Sequence, residues 1–164
     1  MTDQRKGPVY TGIRKFVDID EGYGIWLPSD WHRTDMVDGH KGAIFSPYPD
    51  RLDTCFVSEK HRLKYKVTQE DIPDLRKGFE AGLNAMPGVV VEKINEIITS
   101  TLITFEAIFT FEEEGQTRKR WVRNVYWGEG QLVMLAQGAT PQEYEYWLPM
   151  FYNTMMTAEI GLPQ

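Results

Sequence analysis

Four residues in one polar stretch have the chemistry of metal ligands. His32, Asp35, Asp38 and His40 fall within nine consecutive positions. Imidazole and carboxylate suit Zn²⁺, Mn²⁺ or Fe²⁺, so a tightly curled loop there would offer two nitrogens and two oxygens. The spacing matches no established metal motif, and polar loops collect these residue types. They stand as weak candidates, and the expected metal content is none. Cys55 is the single cysteine. A nucleophile would need a stabilised thiolate and a paired base, and His61 is the nearest histidine. With Leu52, Thr54 and Phe56 beside it, Cys55 reads as a buried, inert thiol. Glu106 would need a second carboxylate such as Glu92 or Glu96 to act as a general acid. The sequence carries no serine elbow, no HExxH, no CxxC, no Walker A loop and no dinucleotide fingerprint. No catalytic residue and no cofactor is therefore expected.

Two other groupings point to packing and recognition rather than catalysis. Glu112, Glu113 and Glu114 precede a turn, and Arg118, Lys119 and Arg120 follow it. Across a hairpin these blocks face each other as ion pairs. Pairing sums near 230 set Glu106 opposite Asn124, one position from Arg123. Tyr23, Trp26 and Trp31 decorate an N-terminal hairpin and its exit, and Tyr146 and Tyr152 lie on a C-terminal helix. Such aromatics either clamp the fold or, where exposed, anchor an interface.

The elements that position these residues follow from period and punctuation. Positions 15–20 and 24–28 form a hairpin through Glu21-Gly22-Tyr23-Gly24. Positions 29–42 have no clean period and are expected to be a loop. Strands are expected at 43–47, 52–57 and 63–67, with polar residues 58–62 between the last two. A helix runs from about Asp71 to Met86, because Ile72, Leu75, Phe79, Leu83 and Met86 recur at three and four and Pro87-Gly88 stops it. Val89 to Ile98 is a strand or a strand with a bend. Ile103, Phe105, Ala107, Phe109 and Phe111 make the cleanest period-two signal, and strands over 118–127 and 131–137 return from it. Thr140-Pro141-Gln142-Glu143 caps a final helix whose stripe is Tyr144, Leu148, Phe151 and Met155, ending at Gly161. Strands joined by short turns are antiparallel. The expectation is an α+β chain with one antiparallel sheet, two helices packed on it and the N-terminal β-hairpin as an appendage.

The 164 residues are 41% hydrophobic, 26% charged and 13% aromatic, and the formal net charge is −6. This is a globular composition for about one domain, with a flexible arm at 1–12 and a single domain over 13–164. The acidic balance disfavours nucleic acid, which needs a basic footprint. No apolar run approaches the ~20 residues of a membrane span, and no signal-peptide stretch follows Met1. A cytoplasmic location is the expectation, although an exported protein trimmed of its signal would look the same.

The run Gly24-Ile25-Trp26-Leu27-Pro28-Ser29-Asp30-Trp31 resembles the opening motif of the Mog1/PsbP-like superfamily, as found in its small bacterial members. The strand carrying Thr104-Phe105-Glu106-Ala107, its arginine-bearing neighbour and the ending from Glu143-Tyr144 through Phe151 to Met155 are similar to the family's pattern too. The resemblance spans most of 13–160. It implies an αβα sandwich around a central antiparallel sheet with an amphipathic C-terminal helix. Plant members of that superfamily are photosystem II extrinsic subunits, others bind a Ran-type GTPase, and many bacterial ones are lipoproteins. This chain has neither a lipobox cysteine near its start nor a transit-like segment, and the family offers no catalytic motif to carry over. The expected function is a non-enzymatic interaction or structural module that binds a protein partner or forms a homodimer. The alternative is a small-molecule binder or unrecognised enzyme with a pocket between sheet and helix.

Overall fold

A computed structural model describes residues 6–162; the first five residues of the expected N-terminal arm lie outside the described residues. The elements in chain order are β1 (Ile13–Asp18), β2 (Tyr23–Pro28), β3 (His32–Asp35), β4 (Lys41–Ser46), β5 (Cys55–Arg62), α1 (Ile72–Asn84), β6 (Val90–Ile98), β7 (Ile103–Glu113), β8 (Gln116–Trp127), β9 (Gly130–Gly138), α2 (Pro141–Met156) and β10 (Glu159–Ile160). Seven strands form an antiparallel sheet in the order β3-β4-β5-β9-β8-β7-β6, and β1-β2-β10 form a small second sheet. The fold is α+β, with a central antiparallel sheet, an N-terminal hairpin and a C-terminal helix.

Strand alternation assigns the two faces. Register puts Glu106 opposite Arg123 and Ile108 opposite Trp121, one residue from the expected pairing. Trp121, Val125, Leu132, Met134 and Ala136 point to one face, where α2 supplies Tyr144, Met150, Phe151 and Met155 and β2 supplies Tyr23, Ile25 and Leu27. The opposite face packs Ala107, Phe109 and Phe111 against Leu83 and Phe79 of α1. Helices therefore cover both faces, because each amphipathic stripe must find apolar cover.

The hairpin of β1 and β2 is part of the core rather than an appendage. Tyr23, Ile25 and Leu27 are almost fully buried, and β10 pairs with β2 at Glu159↔Gly24 and Ile160↔Tyr23. That pairing needs the chain to leave its helix at Met156, short of Gly161. The expected 29–42 loop is also a hairpin, in which β3 pairs with β4 from His32↔Ser46 to Asp35↔Ala43. Its turn is Asp38-Gly39, both at positive φ, the left-handed pair favoured in two-residue hairpins. Of the strands expected at 52–57 and 63–67, the first starts only at Cys55 and the second is a loop, tied down where the Leu63 and Val67 amides donate to the Glu129 and Gly128 carbonyls; β5 runs instead through the polar 58–62 stretch. Ser58 fits there because its Oγ lies 3.1 Å from the buried Tyr23 hydroxyl.

Candidate functional site

A sheet of seven strands has two edges, and here they differ in kind. β3 is one edge, four residues long, and His32, Arg33, Thr34 and Asp35 are all polar. Short, charged edges resist unwanted pairing. β6 is the other edge, nine residues long. It is rich in β-branched residues, which suit a pleated surface. Val90 is 62% exposed and Ile94 50%, and Val91, Ile97 and Ile98 are exposed as well. β6 pairs with β7 on its inner side, and no described strand pairs with its outer side. Its outward N–H and C=O groups, on every second residue, are therefore free. A bulge between Val91 and Lys93 and the charges of Glu92 and Lys93 break up the first half. From Ile94 to Ile98 the register is regular.

A groove runs beside this edge. A cavity of about 390 Å³ is lined by Arg76, Phe79 and Glu80 of α1, Ile94, Asn95 and Glu96 of β6, and Phe105 of β7. Register sets Ile94 beside Ala107, Glu96 beside Phe105 and Ile98 beside Ile103, so these three β6 side chains share the α1 face. Arg76 donates two hydrogen bonds to the Glu96 carboxylate, one of them Nη2 to Oε2 at 2.9 Å. Those bonds hold the Glu96 carboxyl below the usual carboxylate range. Both groups are half-buried and still reached by solvent, so the pair orders the rim more than it stabilises the fold.

The residues singled out by sequence disperse. His32 and Asp35 sit three apart on a strand and so point to opposite faces. Asp35 accepts from Arg33 Nε at 2.6 Å, and His40 Nδ1 lies 2.6 Å from Glu59 Oε1. Asp38 is spent on the turn. Among the described residues no group of three or more His, Cys, Asp or Glu is placed to hold a metal ion. Tyr23 and Trp31 are core residues and cannot serve as surface anchors: Trp31 sets its ring edge-on to Trp147 and Phe151. Trp26 is half-buried beneath the Lys15 ammonium, 5.5 Å from its ring centre. Tyr146 packs edge-on to Trp147 at 4.8 Å. Tyr152 is the exposed member of the set, at 57%, and leans on Trp121. Sequence reasoning found none of the β6 surface, although five aliphatics in nine residues were in view. Only strand order makes that strand an edge.

Other chemistry-bearing groups are engaged with one another. Burial pushes the Cys55 thiol up to about 12, so it holds its proton at neutral pH. The cleft shared by Glu21, Lys60 and Arg62 carries opposed charges. Lys60 Nζ donates to the Glu21 carbonyl at 2.9 Å and lies 4.5 Å from the Trp127 ring centre. Between α1 and the sheet there is a second cavity of about 190 Å³, lined by Gly78, Gly82, Leu83 and Leu135, with Arg120 the one charged residue. It holds no acid–base pair.

No protein-family profile and no curated protein matches the sequence. Solved structures do. The solution structure of cyanobacterial PsbP from Synechocystis sp. PCC 6803 superposes with a TM-score of 0.68 at 9% identity, covering 96% of this chain and 98% of that one. LpqN, involved in cell envelope biogenesis of Mycobacterium tuberculosis, gives 0.65 at 14% identity, with 91% of each chain covered. The Saccharomyces cerevisiae Ran-binding protein Mog1p gives 0.55 at 6% identity, covering 92% of this chain and 96% of that one. At these identities the likeness is one of architecture, and the expectation carried by the Gly24–Trp31 motif holds at that level: the chain has the Mog1/PsbP-like fold.

Proposed function

We propose that the protein is a non-enzymatic interaction module that takes an extended segment of a partner protein as an added strand on β6. The observation that carries this is the contrast between the two sheet edges, one short and polar, the other long and aliphatic beside a groove. Backbone groups along an open edge supply affinity in such additions, and pockets for alternate side chains supply selectivity. The described relative Mog1p is Ran-binding, so the fold is compatible with protein recognition; that support is analogy only.

The sequence of β6 argues for a foreign segment over a second copy. Two-fold antiparallel pairing keeps the sheet faces aligned only when the axis passes through a residue. Pairing about Lys93 sets two ammonium groups face to face, and pairing about Glu96 sets two carboxylates so. Pairing about Ile94 sets Glu92 against Glu96, and pairing about Asn95 sets Lys93 against Ile97. Each of these central registers opposes like charges or sets a charge beside an aliphatic, which costs stability. The net charge of −6 adds repulsion between copies.

The test has two parts. Light scattering should find a monomer at high concentration. A displayed library of random segments should yield binders to the wild type that the doubly substituted Ile94→Lys, Ile98→Lys protein loses. Both positions are exposed, so this variant should fold. An empty selection would contradict the proposal. So would a dimer that the double substitution dissolves, since a second copy would then be the occupant.

A further inference from the structure

We infer that the segment β6 takes is two-faced, with large apolar side chains toward α1 and a carboxylate on the opposite face against Lys93. This rests on the strand-addition reading above and names the chemistry of its partner. An added strand continues the pleat, so its side chains alternate between the two faces of the sheet. On the α1 face they lie over the cavity of about 390 Å³ whose floor includes Phe79, Ile94 and Phe105. Of the charges on that rim, Arg76 and Glu96 satisfy each other, and Glu80, which lines the cavity too, disfavours an acidic side chain there. What remains for a ligand there is apolar contact, and burying an aliphatic or aromatic side chain is favourable in proportion to its area.

The opposite face has a different character. Lys93 shares that face with Asn95 and Ile97, its register partner being Ile108. The neighbouring charges are taken: Lys119 Nζ lies 2.9 Å from Glu92 and 2.9 Å from Glu145. Lys93 is exposed and has no ion-pair partner among the described residues. An added strand would lay its outer side chains beside this ammonium, where an opposite charge is favoured and a like charge disfavoured. The resulting pattern is apolar–acidic alternation, the two halves read by opposite faces of one edge.

The experiment selects displayed random segments of about ten residues on three whole proteins: wild type, Lys93→Glu and Ile94→Lys. Both sites are exposed on one strand, and circular dichroism checks that each variant folds. On the wild type, selected segments should alternate, with aliphatic or aromatic residues at every second position. Asp and Glu should exceed Lys and Arg at the intervening positions by about threefold. On Lys93→Glu the charge bias should invert while the apolar positions persist. Segments without alternation, or an acidic bias unchanged by Lys93→Glu, would overturn the inference; if Ile94→Lys still abolished selection, strand addition itself would stand. An empty selection on the wild type overturns strand addition and this inference together.

Discussion

Glu106 shows how a charged residue is tolerated inside this sheet. It is 4% exposed, and its two oxygens are shared between neighbours on β8. Trp121 Nε1 donates to Oε1 at 3.1 Å, and Arg123 Nη2 donates to Oε2 at 3.1 Å. A buried pair adds little beyond an apolar equivalent, but removing one member strands the other. Glu106→Ala is expected to destabilise the fold by about 3 kcal/mol, because it leaves Arg123 uncompensated and the indole N–H unpaired. Urea unfolding measures this, and a loss below about 1 kcal/mol would show that the pair is not the clamp described. Buried phenols supply a second residue-level prediction. Burial raises the Tyr23 hydroxyl from 10.0 to about 12, and burial pushes Tyr144 up as well. A raised folded-state value means stability is fully present below the unfolded value and is lost as pH climbs toward the folded one. The urea midpoint should therefore drop as pH rises from about 10 to about 12, and Tyr23→Phe should flatten part of that slope. A midpoint that stays level in the wild type would contradict the burial argument. The Glu106–Arg123 contact was within one position of being legible in the sequence, because hairpin register follows from turn position. The burial of Tyr23 and Trp31 was not, since a period-two strand leaves open which face meets the core.

At the level of elements, α2 is where local signals and packing agree. Thr140 Oγ1 accepts from the Glu143 amide at 3.1 Å, as the Thr-Pro-Gln-Glu start implied. The Glu143 carboxylate accepts instead from the Tyr48 hydroxyl at 2.8 Å and Trp147 Nε1 at 3.0 Å, tying the helix start to the loop after β4. Just before it, Gly138 allows close passage of the chain. A Cβ there would lie 2.2 Å from Tyr144 N and 2.6 Å from Tyr144 Cα, which are backbone atoms that cannot swing aside. Gly138→Ala is expected to lower stability by about 1–3 kcal/mol through forced displacement of the first helical turn. Thermal unfolding would show it, and an unchanged midpoint would mean the helix start shifts freely. β3 and the second half of β5 escaped prediction for physical reasons. An exposed edge strand needs no apolar alternation, so His32–Asp35 looked like loop, and the informative residues were Asp38-Gly39 in the turn. In β5 the polar run 58–62 hides a strand whose covered polar groups find partners: Ser58 meets the Tyr23 hydroxyl and Lys60 lies over the Trp127 ring, while Arg62 at the strand end is exposed.

Across the whole molecule, cover is uneven. One face of the large sheet carries both α2 and the small sheet, whereas α1 lies on the β7–β8 part of the other. The β6 edge projects beyond this cover. Periodicity predicted β6 as a strand, but its being an edge depends on strand order, and strand order is decided by which pairs of elements bury the most surface together. The central claim is that β6 receives a partner's extended segment through its outward backbone groups. Residue-resolved amide hydrogen exchange, with and without a selected binding peptide, tests this most directly. Alternate amides of β6 from Ile94 to Ile98 should exchange fast in the free protein and become protected in the complex, while those of β3 stay unchanged. Binding that leaves the β6 amides exchanging as before, with protection appearing at β3 or on α2, would contradict it.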